Sequence, residues 1–246
     1  MKKLSLGLAA FLIPLLCLAL LGCGANVPVI TIAQIPWPDS ETTSYVIQDS
    51  QGTGIGTLNT AIVREGATYV MASLVVMGNA TDEVVMTLNA ADLKPISETR
   101  TINVPAGGAI PGGLYEIRTA YHDKQMAFEA YLPGDQHQGP YNFKIPADSY
   151  ANDEVWYLFR ALPLEEGYTG RYTNVIIWTA YQTPSMTVTV VGTETVAAPA
   201  GSFDCYKLEV TIPNTTIHVW CGKAAPHYLV KYQKGDSVIL LTELPQ

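Results

Sequence analysis

The stretch YEIRTAYHD, residues 115–123, decides the fold because large and polar side chains alternate along it. In an extended chain, Tyr115 and Ile117 lie on one face, whereas Glu116 and Arg118 lie on the other. A period of two residues is typical of a strand that packs one face on a core and turns the other to water. We therefore predict a half-buried β-strand here.

The same period recurs along most of the chain, and turns rich in Gly and Pro separate the repeats. It is clearest in EVVMTLN (83–89), QMAFEAYLP (125–133), SMTVTVVG (185–192), FDCYKLEVTI (203–212) and DSVILLTEL (236–244). These segments predict a chain that is mainly β from about Tyr45 onward.

One segment breaks the period of two. In NDEVWYLFRALP the apolar residues Val155, Leu158, Phe159 and Leu162 recur at the spacing of one helix face. We predict a short amphipathic helix from Asp153 to Leu162, which the following proline ends. A second short helix is compatible with the sequence, but no other segment marks it.

The N-terminus carries an export signal. Lys2 and Lys3 precede an uncharged apolar run, residues 4–21, and this arrangement is typical of a secretory leader. A run of about 18 apolar residues is also close to the length that spans a bilayer. A transmembrane anchor is therefore the alternative interpretation.

The residues that follow, LLGC (20–23), resemble the bacterial lipobox. The resemblance implies cleavage before Cys23 and attachment of a diacylglycerol to its thiol, which would make the bilayer a partner. We therefore predict a lipoprotein signal peptide over residues 1–22, a lipid-anchored tether over 23–40 and a single β domain over 41–246. The predicted location is extracytoplasmic, on a membrane of the bacterial cell envelope.

Charge and motifs exclude several function classes. The chain has 14 basic and 22 acidic residues and a formal net charge of −8, so we predict no nucleic-acid partner, which would need a basic surface. The glycines of QGTGIGTL (51–58) precede β-like residues and predict a turn rather than a phosphate loop. No nucleophile elbow or assignable acid–base pair is found. We predict no catalytic residue, no metal and no cofactor, and expect the protein not to be an enzyme.

Two cysteines lie sixteen positions apart, at Cys205 and Cys221. A hairpin that turns at Pro213 would place them opposite each other, with Cα atoms about 4.5–5.5 Å apart, which suits a disulfide. Exported proteins also meet oxidising conditions. We predict this disulfide, while buried free thiols and a metal site with His218 and His227 stay open as alternatives.

A family resemblance rests on several segments taken in order. They are GIG (54–56), LKP (93–95), LFRALPLEEGY (158–168), VVGTETVAAPAGSFDCYKLEV (190–210), Trp220, APHYLVKY (225–232) and TEL (242–244). From about Tyr45 to Leu244 the chain resembles a widespread bacterial envelope domain of unknown function. Members look similar to the lipoprotein-localisation-factor architecture, the LolA/LolB-like half-barrel. The resemblance implies a strongly curved antiparallel sheet, partly closed by a short helix over an apolar concave face, and it implies no catalytic residues.

Four large side chains are candidates for the lining of an apolar cavity on that face: Trp156, Phe159, Trp178 and Met186. They serve equally well as ordinary core residues, because a sheet needs one packed face. If a ligand binds, we expect it between the helix and the sheet.

Three functions stay open. The first is a membrane-anchored, non-enzymatic binding module for an apolar ligand such as a lipid, an acyl chain or a lipidated peptide. The second is a structural or scaffolding lipoprotein that binds another envelope protein through a sheet edge or loops. The third, a hydrolase, has the least support. A sizeable apolar cavity favours the first function, and a filled core with an exposed apolar patch favours the second.

Overall fold

The computed structural model describes residues 27–108, 110–177, 181–212 and 215–244. Most of this part of the chain is β-strand. The strands are β1 (Ser40–Gln48), β2 (Gly54–Glu65), β3 (Thr68–Met77), β4 (Ala80–Asn89), β5 (Pro95–Val104), β6 (Gly113–His122), β7 (Gln125–Leu132), β8 (Gln136–Lys144), β9 (Ser149–Ala151), β10 (Thr169–Ile177), β11 (Tyr181–Gln182), β12 (Ser185–Ala198), β13 (Gly201–Ile212), β14 (Thr215–Gly222), β15 (Leu229–Lys234) and β16 (Ser237–Glu243).

The strands form one sheet in the order β11-β10-β12-β13-β14-β15-β16-β1-β2-β3-β4-β5-β6-β7-β8. Neighbouring strands in this order are antiparallel, whereas the short β9 runs parallel to β10. Within the described residues β8 pairs only with β7, so hydrogen bonds do not close the sheet. The prediction of a mainly β chain with one large antiparallel sheet is confirmed.

The two ends of the sheet meet through side chains rather than through a ladder. The ring of Phe143 on β8 stacks on the ring of Tyr181 on β11, with centroids 4.2 Å apart. The Tyr181 hydroxyl donates a hydrogen bond to the carbonyl oxygen of Lys144 at 3.1 Å. The sheet therefore curves back on itself around an interior.

The alternation in the sequence sets which face points into this interior. On β4, Val84, Met86 and Leu88 are buried, whereas Glu83 and Val85 between them are exposed. Burial of such side chains stabilises the fold by about 1.5–3 kcal/mol each. The sequence period thus fixes both the strand and its orientation.

The glycine-rich stretch of residues 51–58 forms a turn and the start of β2, as predicted. Gly56 lies so close to β3 that an added Cβ would sit 2.5 Å from the Val76 carbonyl oxygen. Strand pairing at this point therefore requires a glycine.

The predicted helix is confirmed as a short helical segment that fills the concave face. A 3-10 turn (Asn152–Glu154), the α-helix α1 (Val155–Leu158) and a second 3-10 turn (Phe159–Ala161) follow one another. Leu158 is completely buried and Phe159 is nearly so. Such a short helix is marginal by itself, so packing inside the sheet must hold it.

The residues before β1 pack on the sheet. Ile30 and Trp37 are buried in the main core, and the Ile30 amide donates to the Arg171 carbonyl oxygen at 2.9 Å. Within the tether predicted through residue 40, residues 27–39 thus contact the domain, where burial of their apolar side chains is favourable. Cys23 lies outside the described residues.

Cys205 and Cys221 are free thiols, and the predicted disulfide is wrong. The β13–β14 hairpin pairs Cys205 with Gly222 and Tyr206 with Cys221. Ile212 pairs with Thr215, so the register is shifted by one residue from that of a hairpin centred on position 213, and such a shift sends facing side chains to opposite faces. Burial raises the pKa of both thiols to about 12, which makes them poor nucleophiles.

Candidate functional site

An apolar groove of about 450 Å³ lies on the inner face of β6, β7 and β8, opposite the last residue of β10. Its lining consists of Ile110, Pro111, Tyr115, Ile117, Phe128, Ala130, Leu132, Pro133, Gln136, Gln138, Tyr141 and Ile177. Small-molecule sites typically measure about 300–1,000 Å³. The groove is therefore large enough to be one.

Alternation along the strands builds the walls of the groove. Ile117 on β6 pairs with Ala130 on β7, and both are buried on the inner face. Because the side chain of Ala130 ends at Cβ, it leaves a recess beside Phe128. The Phe128 ring lies 5.3 Å from the ring of Tyr141 on β8, centroid to centroid. The stretch that predicts β6 from the sequence thus also supplies one wall of the groove.

The described lining contains two amide side chains and no charged one. Gln136 and Gln138 both come from β8. The Tyr115 hydroxyl is already engaged, since it donates to the carbonyl oxygen of Pro111 at 2.7 Å. An ionised ligand group would find no counter-charge in this lining, whereas an ester or amide can hydrogen-bond to a glutamine. The groove suits a long apolar group with an uncharged polar end.

The space between the helix and the sheet, where we predicted the cavity, is almost full. Trp156, Phe159 and Met186 line a hollow of only about 110 Å³, below the range of ligand sites. The fourth predicted residue, Trp178, lies outside the described residues. The structure brings these three residues together, but around a packed plug instead of a binding cavity.

The helical segment is fastened in place at its C-terminal turn. The Arg160 guanidinium donates to both oxygens of Glu41, at 2.6 and 3.0 Å, and both side chains are about 1% exposed. It also donates to the carbonyl oxygens of Pro226 and His227. Three aromatic ring centres lie between 5.2 and 5.5 Å from its central carbon. A helix that is fixed by a buried ion pair and by further bonds to two carbonyl oxygens is a plug and not a lid.

Comparison with known proteins identifies the family. The family model described as "Protein of unknown function (DUF3108)" matches residues 44–238. The chain belongs to the DUF3108 family. This match confirms the predicted membership of a domain family of unknown function, over nearly the predicted range.

Two solved structures are similar to this DUF3108 chain. One, from Bacteroides fragilis, is provisionally described as an exported protein with a YmcC-like fold; it is 10% identical, with a TM-score of 0.34, and the match covers 89% of this chain and 100% of that one. The other, from Parabacteroides distasonis, is provisionally described as a lipoprotein; it is 11% identical, with a TM-score of 0.32, and the match covers 87% and 99%. At these scores neither likeness defines the fold or the function of this chain.

No curated protein matches the DUF3108 chain at a significant level. Within the described ranges no helix is both long and apolar enough to cross a membrane. The resemblance to the lipoprotein-localisation-factor architecture stays a prediction.

At the other end of the helical segment, the DUF3108 chain buries a cluster of charged and acidic groups. Arg100 on β5 binds Asp82 on β4 through two hydrogen bonds, of which the Nε–Oδ1 bond measures 2.9 Å. It also lies 3.5 Å from Asp153. Glu98 and Glu154 are buried close by. The cluster ties the first turn of the helical segment to β4 and β5.

Burial raises the pKa of three carboxyl groups in this cluster. It raises the pKa of Glu98 to about 8, with repulsion from Asp153 as the second cause. Burial also raises the pKa of Asp153 and lifts that of Glu154 well above its usual value. Neutral acids cost less to bury than charged ones. None of these residues lines the groove, so the cluster acts on the helical segment.

The four histidines each lie beside a single acidic or carbonyl group; His218 on β14, for example, lies 3.8 Å from Glu209 on β13. His122 is exposed beside Asp123, and His137 on the outer side of β8 contacts Glu129 at 3.1 Å. His227 is tied to the carbonyl oxygen of Gly222 at 2.8 Å. In the part of the chain that the structure describes, no three His, Cys, Asp or Glu side chains are grouped to hold a metal ion.

The groove residues were missed because each one looks like an ordinary strand residue in the sequence. The sequence does hold a mark of the groove, in the inner-facing positions of QMAFEAYLP and in QHQGPY. There, uncharged glutamines rather than charged residues stand close to aromatic residues. A small residue, Ala130, at an inward position between Phe128 and Leu132 is the clearest local mark of a recess.

Proposed function

We propose that this protein is an extracytoplasmic lipoprotein, anchored through Cys23, that binds a single acyl chain in its groove without catalysing a reaction. The observation that carries the proposal is the groove itself, with its volume of about 450 Å³ and its uncharged lining. Each methylene group that leaves water for such a site contributes about 0.8 kcal/mol. An acyl chain therefore gains affinity along its whole length.

The lining also indicates which polar group the bound acyl chain carries. Gln136 and Gln138 offer donors and acceptors but no charge. An ester- or amide-linked chain, as in a glycerolipid or an acylated peptide, matches this pattern better than a free carboxylate. The leader and LLGC support the anchor, because a diacylglycerol on Cys23 would hold the chain stably at a bilayer.

Native mass spectrometry of the protein purified from its own membrane in mild detergent tests both parts. We expect an N-terminal peptide that begins at lipidated Cys23 and a second, non-covalent mass of one acyl lipid. In the Cys23→Ser variant the covalent lipid should be lost and the non-covalent one kept. A mature N-terminus elsewhere would contradict the anchor, and a ligand-free native mass would contradict the binding function.

A second candidate function, binding of an envelope protein, is favoured by the exposed strand β8. Its residues are almost all exposed and it pairs only with β7 among the described strands. An unpaired edge is a template for strand addition. A protein that co-purifies with the wild type, and is lost when a proline replaces Asn142, would favour this function.

A further inference from the structure

The sheet has two ends, and the chain enters at one of them. The end that carries the β2–β3, β4–β5 and β6–β7 turns is called the lower end. The end that carries the β3–β4, β5–β6 and β7–β8 turns is called the upper end. The ladder is antiparallel from β10 through β12 to β8, so strand directions alternate along it. Thr169, at the start of β10, therefore belongs to the lower end, and β10 runs from there in the direction of the upper end. The curvature of the sheet brings its last residue, Ile177, beside the end of β8, since Ile177 pairs with Tyr181 and Tyr181 contacts Phe143 and Lys144.

The first described residues are held at the lower end. The side chain of Arg171 donates to the Val27 carbonyl oxygen at 3.1 Å, and its amide donates to the Pro28 carbonyl oxygen at 2.8 Å. Gly170 allows this contact, because an added Cβ would lie 2.7 Å from Ile30. The chain is thus fixed to the domain from Val27 onward.

The link between the proposed anchor and this fixed point is short. Three residues lie between Cys23 and Val27 in the chain, and the four Cα–Cα steps that join the two residues span at most about 14 Å in any conformation. A lipid on Cys23 therefore holds the lower end close to the head groups of its bilayer.

The lining of the groove extends to the upper end, and we place its mouth there. Ile110 and Pro111 come from the β5–β6 turn, Pro133 comes from the β7–β8 turn, and Ile177 is the last residue of β10. From Arg171 to Ile177 the chain runs six residues along β10, about 20 Å at the rise of a strand. The distance to the groove therefore exceeds the reach of the link.

We propose that the anchored protein holds the mouth of its groove away from its own bilayer and receives its acyl ligand from the opposite, aqueous side. The donor is then a soluble carrier or a facing membrane, and not the leaflet that carries the anchor. This inference rests on the proposed function, and it adds the side from which the ligand comes.

Two matched label positions test the orientation. Asp123 and Asp135 flank the same strand, β7, in the turns at its lower and upper ends, and both are exposed. Both also have a positive φ, 51° and 58°, so Asp123→Cys and Asp135→Cys carry the same backbone strain. Cys205 and Cys221 are buried and should not take up a thiol-reactive fluorophore.

Each labelled lipoprotein is placed in vesicles whose head groups carry a nitroxide quencher, after its N-terminal lipid has been verified by mass. We expect quenching at position 123 to exceed that at position 135 several-fold. Twelve Gly/Ser residues inserted before Val27 should remove the difference. Equal or reversed quenching with the native link would overturn the inference.

A second measurement identifies the donor. A phospholipid with a fluorescent acyl chain is supplied either in the anchoring vesicles or in separate, unanchored vesicles, and transfer to the protein is followed. Faster loading from the separate vesicles supports the inference, and loading from the anchoring bilayer alone overturns it. If position 123 is the more quenched but no donor loads the protein, the binding function fails while the orientation stands.

Discussion

The two halves of the inner sheet face carry the same kind of side chains, but one half is packed against other elements and the other half is left partly open. Over β1–β4 and β12–β16 the face is covered by the helical segment and by Trp37, and the side chains form the main core. Within the described residues the helical segment is absent from the main contacts of β6–β8, where Val175 and Ile177 of β10 pack against Ile117 and Met126, and a groove of about 450 Å³ remains. The helical segment spans only ten residues, so it covers one half. The position of a cavity in a curved sheet therefore depends on the length of the element that covers the sheet as much as on the sheet itself.

The largest effect on the free energy of unfolding should come from removing the Arg160–Glu41 ion pair, which holds the helical segment in the covered half. Arg160→Ala leaves Glu41 buried without its partner, which typically costs about 3–5 kcal/mol of unfolding free energy. Urea unfolding measures the loss. The double variant Glu41→Leu/Arg160→Met should lose less, because it removes both charges. A loss in Arg160→Ala below about 1 kcal/mol, the range of exposed pairs, would contradict the account of the plug.

The same substitution in the two halves sharpens the comparison. Leu158→Ala empties a fully buried position in the covered half and should cost about 2–5 kcal/mol. Leu132→Ala in the groove removes a half-exposed side chain and should cost about 1 kcal/mol or less. Equal losses in thermal or urea unfolding would show that the groove is packed in solution.

The acidic cluster makes the stability of the covered half depend on pH. Because the pKa of Glu98 is raised to about 8 when folded, the folded state keeps a proton that the unfolded state releases. Stability should therefore fall as pH rises from about 5 to 8, by at most about 1.4 kcal/mol per pH unit for this one group. Glu98→Gln should flatten the slope; an unchanged slope between pH 5 and 8 would show that other groups cause it.

The smallest effect concerns the cysteines. Since Cys205 and Cys221 face opposite sides of β13 and β14, a reductant should leave the unfolding temperature unchanged. Alkylation after denaturation without reductant should modify both. A single disulfide-linked peptide in a non-reducing map would show that the hairpin register differs from the one described.

The sequence predicts the parts of this fold that depend on local pattern. Alternation in YEIRTAYHD gives β6 and its inward face, and the i, i+3, i+4 spacing around Leu158 gives the helix. The predicted pairing of the cysteines was wrong because a shift of one residue in the hairpin register reverses which face a side chain occupies. The groove could not be located, because it depends on where the helix stops covering the sheet, and that follows from long-range contacts such as Arg160 with Glu41.

The central claim is that the uncovered half of the face binds an acyl chain, and a titration with matched variants tests it most directly. Ala130 and Ala127 lie on the inner and outer faces of β7, so Ala130→Trp fills the recess while Ala127→Trp leaves it open. With an environment-sensitive acyl-chain probe, we expect wild type and Ala127→Trp to bind alike and Ala130→Trp to bind at least tenfold more weakly, at unchanged circular dichroism. The milder Ala130→Leu should fall between them. Equal binding by all four proteins, or no binding by wild type, would contradict the claim.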